Sequence, residues 1–138
     1  MPFPIDEKYI LQTEHQLGLI FPPCFKAKMI QTNGGEVIAD DDLWQLFPFF
    51  DQADKKRIKR TCNHITVETK QAQKWHGFPT DAIAIASNGS GDLLIFKKLE
   101  NVQSNMQTNE QQLDDTVYRW SHETAELKVV AQHFDQLK

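Results

Sequence analysis

The amino-acid sequence predicts an α+β fold in a single domain, with helices packed on a mainly antiparallel sheet. Apolar residues keep helical spacing near the start, short runs of β-forming residues dominate the middle, and helical spacing returns at the end. That order is typical of helices segregated from an antiparallel sheet. The chain has 138 residues and no repeat, low-complexity tract or long linker, so it suits one domain with a substantial core.

Two helices are expected at the start of the chain. Residues 5–17 carry one apolar stripe, and Gly18 follows as a residue typical of a helix end. The paired prolines of FPPC favour the start of a second helix, where a missing N–H costs nothing. We expect the turn Asn33-Gly34-Gly35 to end that second helix.

Short strands are expected in the middle of the chain. EVI and LWQLF, within residues 36–50, are separated by the turn-like run Asp40-Asp41-Asp42. AIAIAS and DLLIF are rich in β-forming residues and are bounded by turn residues. In VYRWS, Val117 and Arg119 alternate with Tyr118 and Trp120, which is typical of a further strand. These runs supply the strands of the predicted sheet.

Three further segments complete the prediction. Residues 51–74 are polar with sparse apolar positions, and we expect an exposed helix broken near Asn63. Residues 100–114 form a polar stretch that is typical of a mobile loop. The closing run VVAQHFDQL places its bulky apolar residues at helical spacing and predicts a final helix.

The glycine-rich segment SNGSGD lies between AIAIA and LLIF and resembles several kinds of ligand loop. A phosphate loop needs a lysine and a hydroxyl after its last glycine, but Asp92 follows Gly91 and would repel phosphate. A dinucleotide-binding motif is excluded because its glycines open a helix, whereas a strand is expected here. A calcium loop starting at Asn88 is excluded because it needs glycine at its sixth position and an acidic residue at its twelfth, where Leu93 and Leu99 stand. A hairpin needs only residues that tolerate positive φ, such as Asn88, Gly89 and Gly91. We therefore predict a hairpin turn that Asp92 fixes by accepting hydrogen bonds from loop N–H groups.

The run Asp40-Asp41-Asp42, with Glu36 nearby, is the most acidic stretch of the middle segment. A divalent cation prefers several carboxylates that converge from different elements. Adjacent aspartates point in different directions, so capping of a turn is the better interpretation and no metal is predicted. As a surface patch, these residues could contact a basic protein partner.

Catalytic and metal-binding patterns are otherwise weak. Cys24 and Cys62 are the only cysteines, and two reduced thiols are expected rather than a disulfide framework. None of the five histidines forms a His-x3-His pair, and Cys62 with His64 offers too few ligands for structural zinc. We therefore predict no catalytic residue, no cofactor and no enzymatic activity.

Charge and hydropathy limit the partners further. The net charge of −4 argues against a general nucleic-acid-binding protein, and the basic run at residues 55–60 is expected to be a solvated helix face. No apolar run approaches the roughly 18–20 residues of a membrane helix. The start MPFPIDEKYI lacks the pattern of a signal peptide, so a cytoplasmic protein is expected.

Several motifs together resemble the SMI1/KNR4 family of the SUKH superfamily. LGLIFPPCFKAKMIQTNGGEV is similar to the opening of that family, FPTDAIAIASNGSGDLLIF to its central hairpin, and VYRWSHETAEL with AQHFDQL to its close. The matching positions are Glu14, Leu17-Gly18, Pro22-Pro23, Phe25, Asn33-Gly34-Gly35, Trp44, Leu46 and Gly91-Asp92. The resemblance covers residues 7–137. Pro-Pro-Cys replaces a commoner leucine-proline pair, and residues 51–76 and 100–114 match no family motif.

The resemblance implies an α+β, non-catalytic protein-binding module. Bacterial members resemble immunity proteins that neutralise a cognate toxin, often a nuclease or a deaminase, whereas fungal members resemble regulators of the cell wall and of signalling. Two alternatives remain open. One is a regulatory scaffold, and the other is a small ligand-binding domain with a pocket between sheet and helices, near Asp92, His76 or Trp75. For the immunity role, exchange of Asp40, Asp41 and Asp42 for lysine should slow association with a basic toxin without altering the fold.

Overall fold

The computed structural model describes residues 4–98 and 111–137. It confirms the α+β prediction, because helices pack against a curled antiparallel sheet of six strands. The helices are α1 Glu7–Leu17, α2 Pro23–Gln31, α3 Lys55–Arg60 and α4 Ile65–Ala72, with a closing 3-10 helix at Phe134–Gln136. The strands are β1 Leu19–Ile20, β2 Glu36–Ala39, β3 Asp42–Leu46, β4 Ala82–Ser87, β5 Leu93–Lys97, β6 Gln111–Gln112, β7 Val117–Trp120 and β8 Leu127–Ala131.

The main sheet has the order β2-β3-β4-β5-β7-β8, and every neighbouring pair is antiparallel. Three hairpin turns, at residues 40–41, 88–92 and 121–126, join successive pairs of these strands. The register of the strands brings all three turns to the same end of the sheet, which we call the hairpin-tip end. Strands β1 and β6 form a separate parallel pair.

Both faces of the sheet centre are covered. Leu93, Leu94, Ile95 and Phe96 are consecutive in β5 and are all buried, as expected for a strand between two layers. On one face, Phe96 packs edge-on against Phe25 of α2, with ring centroids 5.3 Å apart. On the other face, Trp120 lies beside Leu93 in the register and packs against Phe78 and Trp75.

The first helix ends at Leu17 as predicted but begins at Glu7 rather than at residue 5, and α2 begins at the paired prolines as predicted. Asp6 caps α1 by accepting the N–H of Lys8, and Gly18 ends it with φ +68°, a left-handed conformation that glycine tolerates. Buried Glu14 then accepts the backbone N–H of Phe21 at 2.8 Å and lies 3.3 Å from Lys26. This carboxylate ties α1 to the segment that leads into α2.

The Asn-Gly-Gly turn after α2 holds a distant part of the chain. The Asn33 amide donates to the Phe49 carbonyl at 2.9 Å and accepts the Phe49 N–H at 2.8 Å. Gly34 and Gly35 have φ of +116° and +92°, which explains why glycine follows this asparagine. The turn ends α2 as predicted and fixes the segment that follows β3.

The polar segment 51–74 forms two helices, α3 and α4, and the predicted break near Asn63 is confirmed. The predicted exposure holds for α3, which has no buried residue, but is wrong for α4. Ile65, Thr69 and Ala72 of α4 are buried, and the Thr69 hydroxyl accepts the backbone N–H of Ala84 in β4 at 3.0 Å. A helix with few apolar residues can therefore still pack, because a hydroxyl satisfies a strand N–H.

The predicted closing helix is wrong. Residues 127–131 form strand β8, and only the short 3-10 helix at 134–136 follows. The β-branched pair Val129 and Val130 suits a strand, and β7 offers it an unpaired edge. Val130 and Phe134, whose spacing indicated a helix, lie instead in β8 and in the 3-10 helix, and Phe134 is buried in the core. The predicted loop 100–114 lies outside the described residues up to 110, and its last part forms β6 and the Lys98–Leu113 bridge.

Candidate functional site

Arg119 lies at the centre of the hairpin-tip end and contacts carboxylates from two different turns. Its Nε and Nη2 atoms donate to Asp92 Oδ2 at 3.0 and 2.8 Å. Its Nη1 donates to Asp40 Oδ2 at 3.1 Å, and its Nη2 lies 3.5 Å from Asp42 Oδ2. The guanidinium also lies 5.0 Å from the ring centroid of Trp44. One side chain of β7 thus joins the first and second hairpin turns by charge-assisted hydrogen bonds.

Asp92 accepts hydrogen bonds on both carboxylate oxygens. Oδ2 receives Arg119, whereas Oδ1 accepts the backbone N–H of His122 at 3.2 Å and lies 2.7 Å from its Nδ1. Burial alone would raise the pKa of Asp92, but hydrogen bonds from His122 and Arg119 outweigh it and hold the pKa below its ordinary value. Asp92 is therefore a charged link between β5 and the third turn.

The second turn is held by side chains other than Asp92. Ser87 Oγ accepts one loop N–H at 3.1 Å, and Asn88 Oδ1 accepts another at 3.0 Å. Gly89 and Gly91 have φ of +83° and +105°, the positive values that the predicted hairpin turn requires. Loop N–H groups were expected to bind Asp92, but its hydrogen bonds go instead across the sheet. Ser87 and Asn88 satisfy these loop N–H groups by local hydrogen bonds, and Asp92 instead accepts from Arg119 of β7.

The first turn consists of Asp40 and Asp41, both of which have positive φ, 52° and 58°. A two-residue hairpin turn of type I′ needs this conformation at both positions, and aspartate tolerates it better than most residues. Asp40 Oδ1 accepts Lys128 Nζ of β8 at 2.7 Å. The hydrogen bond from Lys128 lowers the pKa of Asp40, and the contact with Arg119 lowers it further. Partial burial acts in the opposite direction but is outweighed.

The structure divides the acidic residues that the sequence grouped as a patch. Asp40 and Asp42 are half-buried and engaged with Arg119, and Asp42 also accepts the Asn88 amide at 2.9 Å. Asp41 is exposed at the tip of the turn. Glu36 is exposed at the far end of β2, roughly 10–13 Å along the strand from the turn. The tip and the strand end are therefore separate acidic positions.

An exposed apolar pair lies on the outer face of the β2–β3 hairpin. Ile38 and Leu43 are register partners, and each is 54% exposed. Glu36 and Gln45, also register partners, lie next to them on the same face. Sequence reasoning missed this pair, although strict alternation in EVIA and DLWQL places one bulky residue of each strand opposite the buried Val37 and Trp44 positions.

Arg119, His122 and Lys128 were also missed by sequence reasoning. A usable signal was the arginine inside the alternating strand VYRW, because a charge on a core strand requires a partner. The aspartate-rich turns supplied the candidates for that partner. What the sequence could not supply is the curl of the sheet, which brings a turn from one edge against strands at the other.

Two open grooves flank the sheet. One, of about 420 Å³, lies at the end opposite the hairpin tips and includes Gly34, Gly35, Glu36, Arg57 and Arg60 among its lining residues. The other, of about 440 Å³, adjoins the hairpin-tip end and is lined by Trp75, His76, Gly91, Trp120 and His122. The ligand pocket considered from the sequence corresponds in position to this second groove, which lies on the surface rather than between sheet and helices.

The chemistry of the clustered carboxylates is that of ion pairing. The space where Asp40, Asp42 and Asp92 converge is occupied by the Arg119 guanidinium. Over residues 4–98 and 111–137, no group of three or more His, Cys, Asp or Glu side chains is placed to hold a metal ion. Cys24 and Cys62 are free thiols. In the same part of the chain, no helix has the length and apolar character needed to cross a bilayer.

Comparison with protein-family models matches residues 4–137 to the SMI1/KNR4 family, SUKH-1. The chain belongs to the SMI1/KNR4 family. No curated protein and no solved structure matches it. Membership of the SMI1/KNR4 family supports a non-catalytic protein-binding module in general, and the family is associated with protein–protein interaction with toxins.

The residues that carry the SMI1/KNR4 resemblance hold the fold together. Glu14 binds the Phe21 N–H, Asn33 binds Phe49, and Asp92 binds Arg119. Each is a buried polar side chain whose hydrogen-bond partner lies in another element or segment of the chain. In this SMI1/KNR4 domain these three motif residues thus have structural roles.

Proposed function

We propose that this SMI1/KNR4 domain is an immunity protein that binds and neutralises a cognate toxin. The observation that carries the proposal is the exposed pair Ile38 and Leu43 directly behind the acidic tip Asp41. Protein interfaces combine an apolar centre with a polar rim, and this hairpin presents both. Family membership supports binding to a protein, and the hairpin supplies the surface.

The charge at the hairpin-tip end favours a basic partner. Carboxylates there outnumber basic side chains. The carboxylates are Asp40, Asp41, Asp42, Asp92, Glu123 and Glu126, and the basic side chains are Arg119 and Lys128. The basic run of α3 lies towards the opposite end, so the charge of the chain is segregated. A basic toxin such as a nuclease or a deaminase would be steered towards the acidic end.

Co-expression with the product of the adjacent upstream gene tests the proposal. Growth of the host and co-purification of the two proteins are scored. A product that is toxic alone, harmless with this chain and recovered in a complex is the expected result. If the product is harmless and unbound, cognate immunity at that locus is rejected and a regulatory partner becomes the better hypothesis.

The structure sharpens the charge test. Exchange of all three aspartates for lysine would place cations against Arg119 and Lys128, so lost binding could reflect an altered fold. Asp41→Asn removes only an exposed charge and keeps a residue that tolerates positive φ. We expect slower association at low salt with unchanged thermal stability. Asp135→Asn, an exposed aspartate of the closing 3-10 helix, makes the same charge change as a control.

A further inference from the structure

The groove beside the hairpin-tip end has an aromatic floor and wall. Trp120 is buried, whereas Trp75 is 44% exposed and stacks on it with ring centroids 5.7 Å apart and planes 24° apart. One face of the Trp75 indole is therefore covered by Trp120, the other is left open, and both rings line the groove. Of the three tryptophans, Trp75 alone is exposed, because Trp44 is also buried.

The walls of the groove are fixed by close backbone packing. A Cβ atom on Gly77 would lie 2.4 Å from the Ala125 Cβ, so the turn after Trp75 packs directly on the third hairpin turn. Trp120 Nε1 also donates to the Gly77 carbonyl at 3.3 Å. A Cβ on Gly91 would lie 2.9 Å from the His122 ring. These contacts pack the segment after Trp75 and the third hairpin turn closely beside the groove.

His122 gives the groove a hydrogen-bond acceptor. Its Nδ1 lies 2.7 Å from Asp92 Oδ1, and a carboxylate at that distance accepts a hydrogen bond from Nδ1–H. In the neutral imidazole, the proton then lies on Nδ1, and Nε2 is left as an acceptor. The groove thus combines an open indole face with an imidazole acceptor, next to the acidic residues of the hairpin-tip end.

We propose that this groove receives an arginine side chain of the protein partner. The alkyl stem would pack on the tryptophan pair, the planar guanidinium would lie over the open face of Trp75, and an N–H would donate to His122 Nε2. The acidic hairpin-tip end supplies the complementary charge. The proposal rests on the proposed function, since it names the chemistry of the residue that anchors that partner.

A titration monitored by NMR tests the groove without the toxin. The probe is N-acetyl-arginine N-methylamide, and the matched neutral probe is the citrulline analogue, which differs in the charge of its head group. We expect the arginine probe to shift the Trp75 indole N–H resonance and the backbone amides of Gly91 and His122. The shifts should saturate at a concentration about threefold to tenfold lower than with citrulline.

Variants separate the groove from general attraction to an acidic protein. Trp75→Ala should remove the arginine-specific shifts at Gly91 and His122, whereas Trp75→Phe should retain a part of them. Lys74→Ala, which removes the basic neighbour of Trp75 and no wall of the groove, should leave them equal or larger. Equal responses to the two probes, shifts confined to acidic residues elsewhere, or no shift at the Trp75 indole would each overturn the proposal.

The two proposals fail in different experiments. Toxin neutralisation without arginine-specific shifts keeps the immunity function and rejects the groove as the anchor site. Arginine-specific shifts in a chain that does not neutralise the upstream product keep the groove and reject that toxin as its partner.

Discussion

Asp40 and Arg119 are 79 positions apart in the chain, yet their side chains meet at 3.1 Å. Asp40 lies in the turn of the β2–β3 hairpin at one edge of the sheet. Its second carboxylate oxygen accepts a hydrogen bond from Lys128 of β8 at the other edge. One carboxylate therefore connects both edge regions of the described sheet, which the curl of the sheet brings together. The positive φ of Asp40 makes this possible, because it turns the side chain out of the strand pleat.

Replacing Arg119 should destabilise the fold more than its partial exposure suggests. Arg119→Met keeps an unbranched side chain but removes both hydrogen bonds that the guanidinium donates to buried Asp92. An ionic hydrogen bond lost at a buried carboxylate costs about 1.5–3 kcal/mol, and we expect a loss near the lower limit because Arg119 is partly solvated. Urea unfolding measures it. Lys128→Met, at a 65% exposed lysine, should cost less than about 1 kcal/mol. Equal losses would contradict a central role for Arg119.

Acid should weaken the fold through Asp92. Its folded pKa lies below its ordinary value, so the unfolded chain takes up a proton first as the pH falls. The stabilisation is complete above a pH of about 4–5 and is lost progressively as the pH falls through the lowered pKa. Asp92→Asn should flatten the dependence of the unfolding free energy on pH between about 5 and 3. A slope unchanged in this variant would show that other carboxylates dominate acid unfolding.

His64 should act in a separate, higher pH range. Burial and, to a smaller extent, the charge of Lys70 lower the pKa of His64, and its buried Nδ1 has no hydrogen-bond partner within residues 4–98 and 111–137. The unfolded chain gains a proton there below a pH of about 6.5, so stability is lost as the pH falls from that value through the lowered folded pKa. His64→Asn should remove this slope. Glu68 titrates in the opposite sense because burial raises its pKa, so the difference between variant and parent is the measurement.

Local signals predicted the hairpins and helix ends but not the sheet closure. Gly18, the Asn33 turn and the glycines of SNGSGD all occur where positive φ or a tight turn is needed, and those requirements are local. Strand β8 was missed because Val130 and Phe134 satisfy helical spacing by coincidence, and pairing with β7 decides the outcome. The Arg119 cluster depends on contacts between distant residues, which periodicity does not reveal.

The two glycines of the second turn should differ in their tolerance of a methyl group. Gly89 and Gly91 both have positive φ, so alanine at either position costs about 1 kcal/mol in backbone strain. A Cβ on Gly89 meets nothing within 4 Å, whereas one on Gly91 lies 2.9 Å from the His122 ring. Gly91→Ala should therefore cost more than Gly89→Ala in urea unfolding. Adding His122→Ala to Gly91→Ala should narrow the gap; equal losses in the two single variants would contradict the close contact.

The outer face of the β2–β3 hairpin should matter for binding but not for folding. Ile38→Ser removes an apolar side chain that is 54% exposed, so the unfolding free energy should change by less than about 0.5 kcal/mol. Loss of one apolar anchor at an interface centre typically costs more than 1 kcal/mol, which means at least about fivefold weaker binding of the co-purified partner. Ile58→Ser makes the same exchange on exposed α3, away from the hairpin, and should leave the affinity unchanged. Surface plasmon resonance and growth rescue compare the two variants. If Ile38→Ser binds as tightly as the parent chain while Ile58→Ser does not, the partner contacts α3, and the hairpin is not the binding surface.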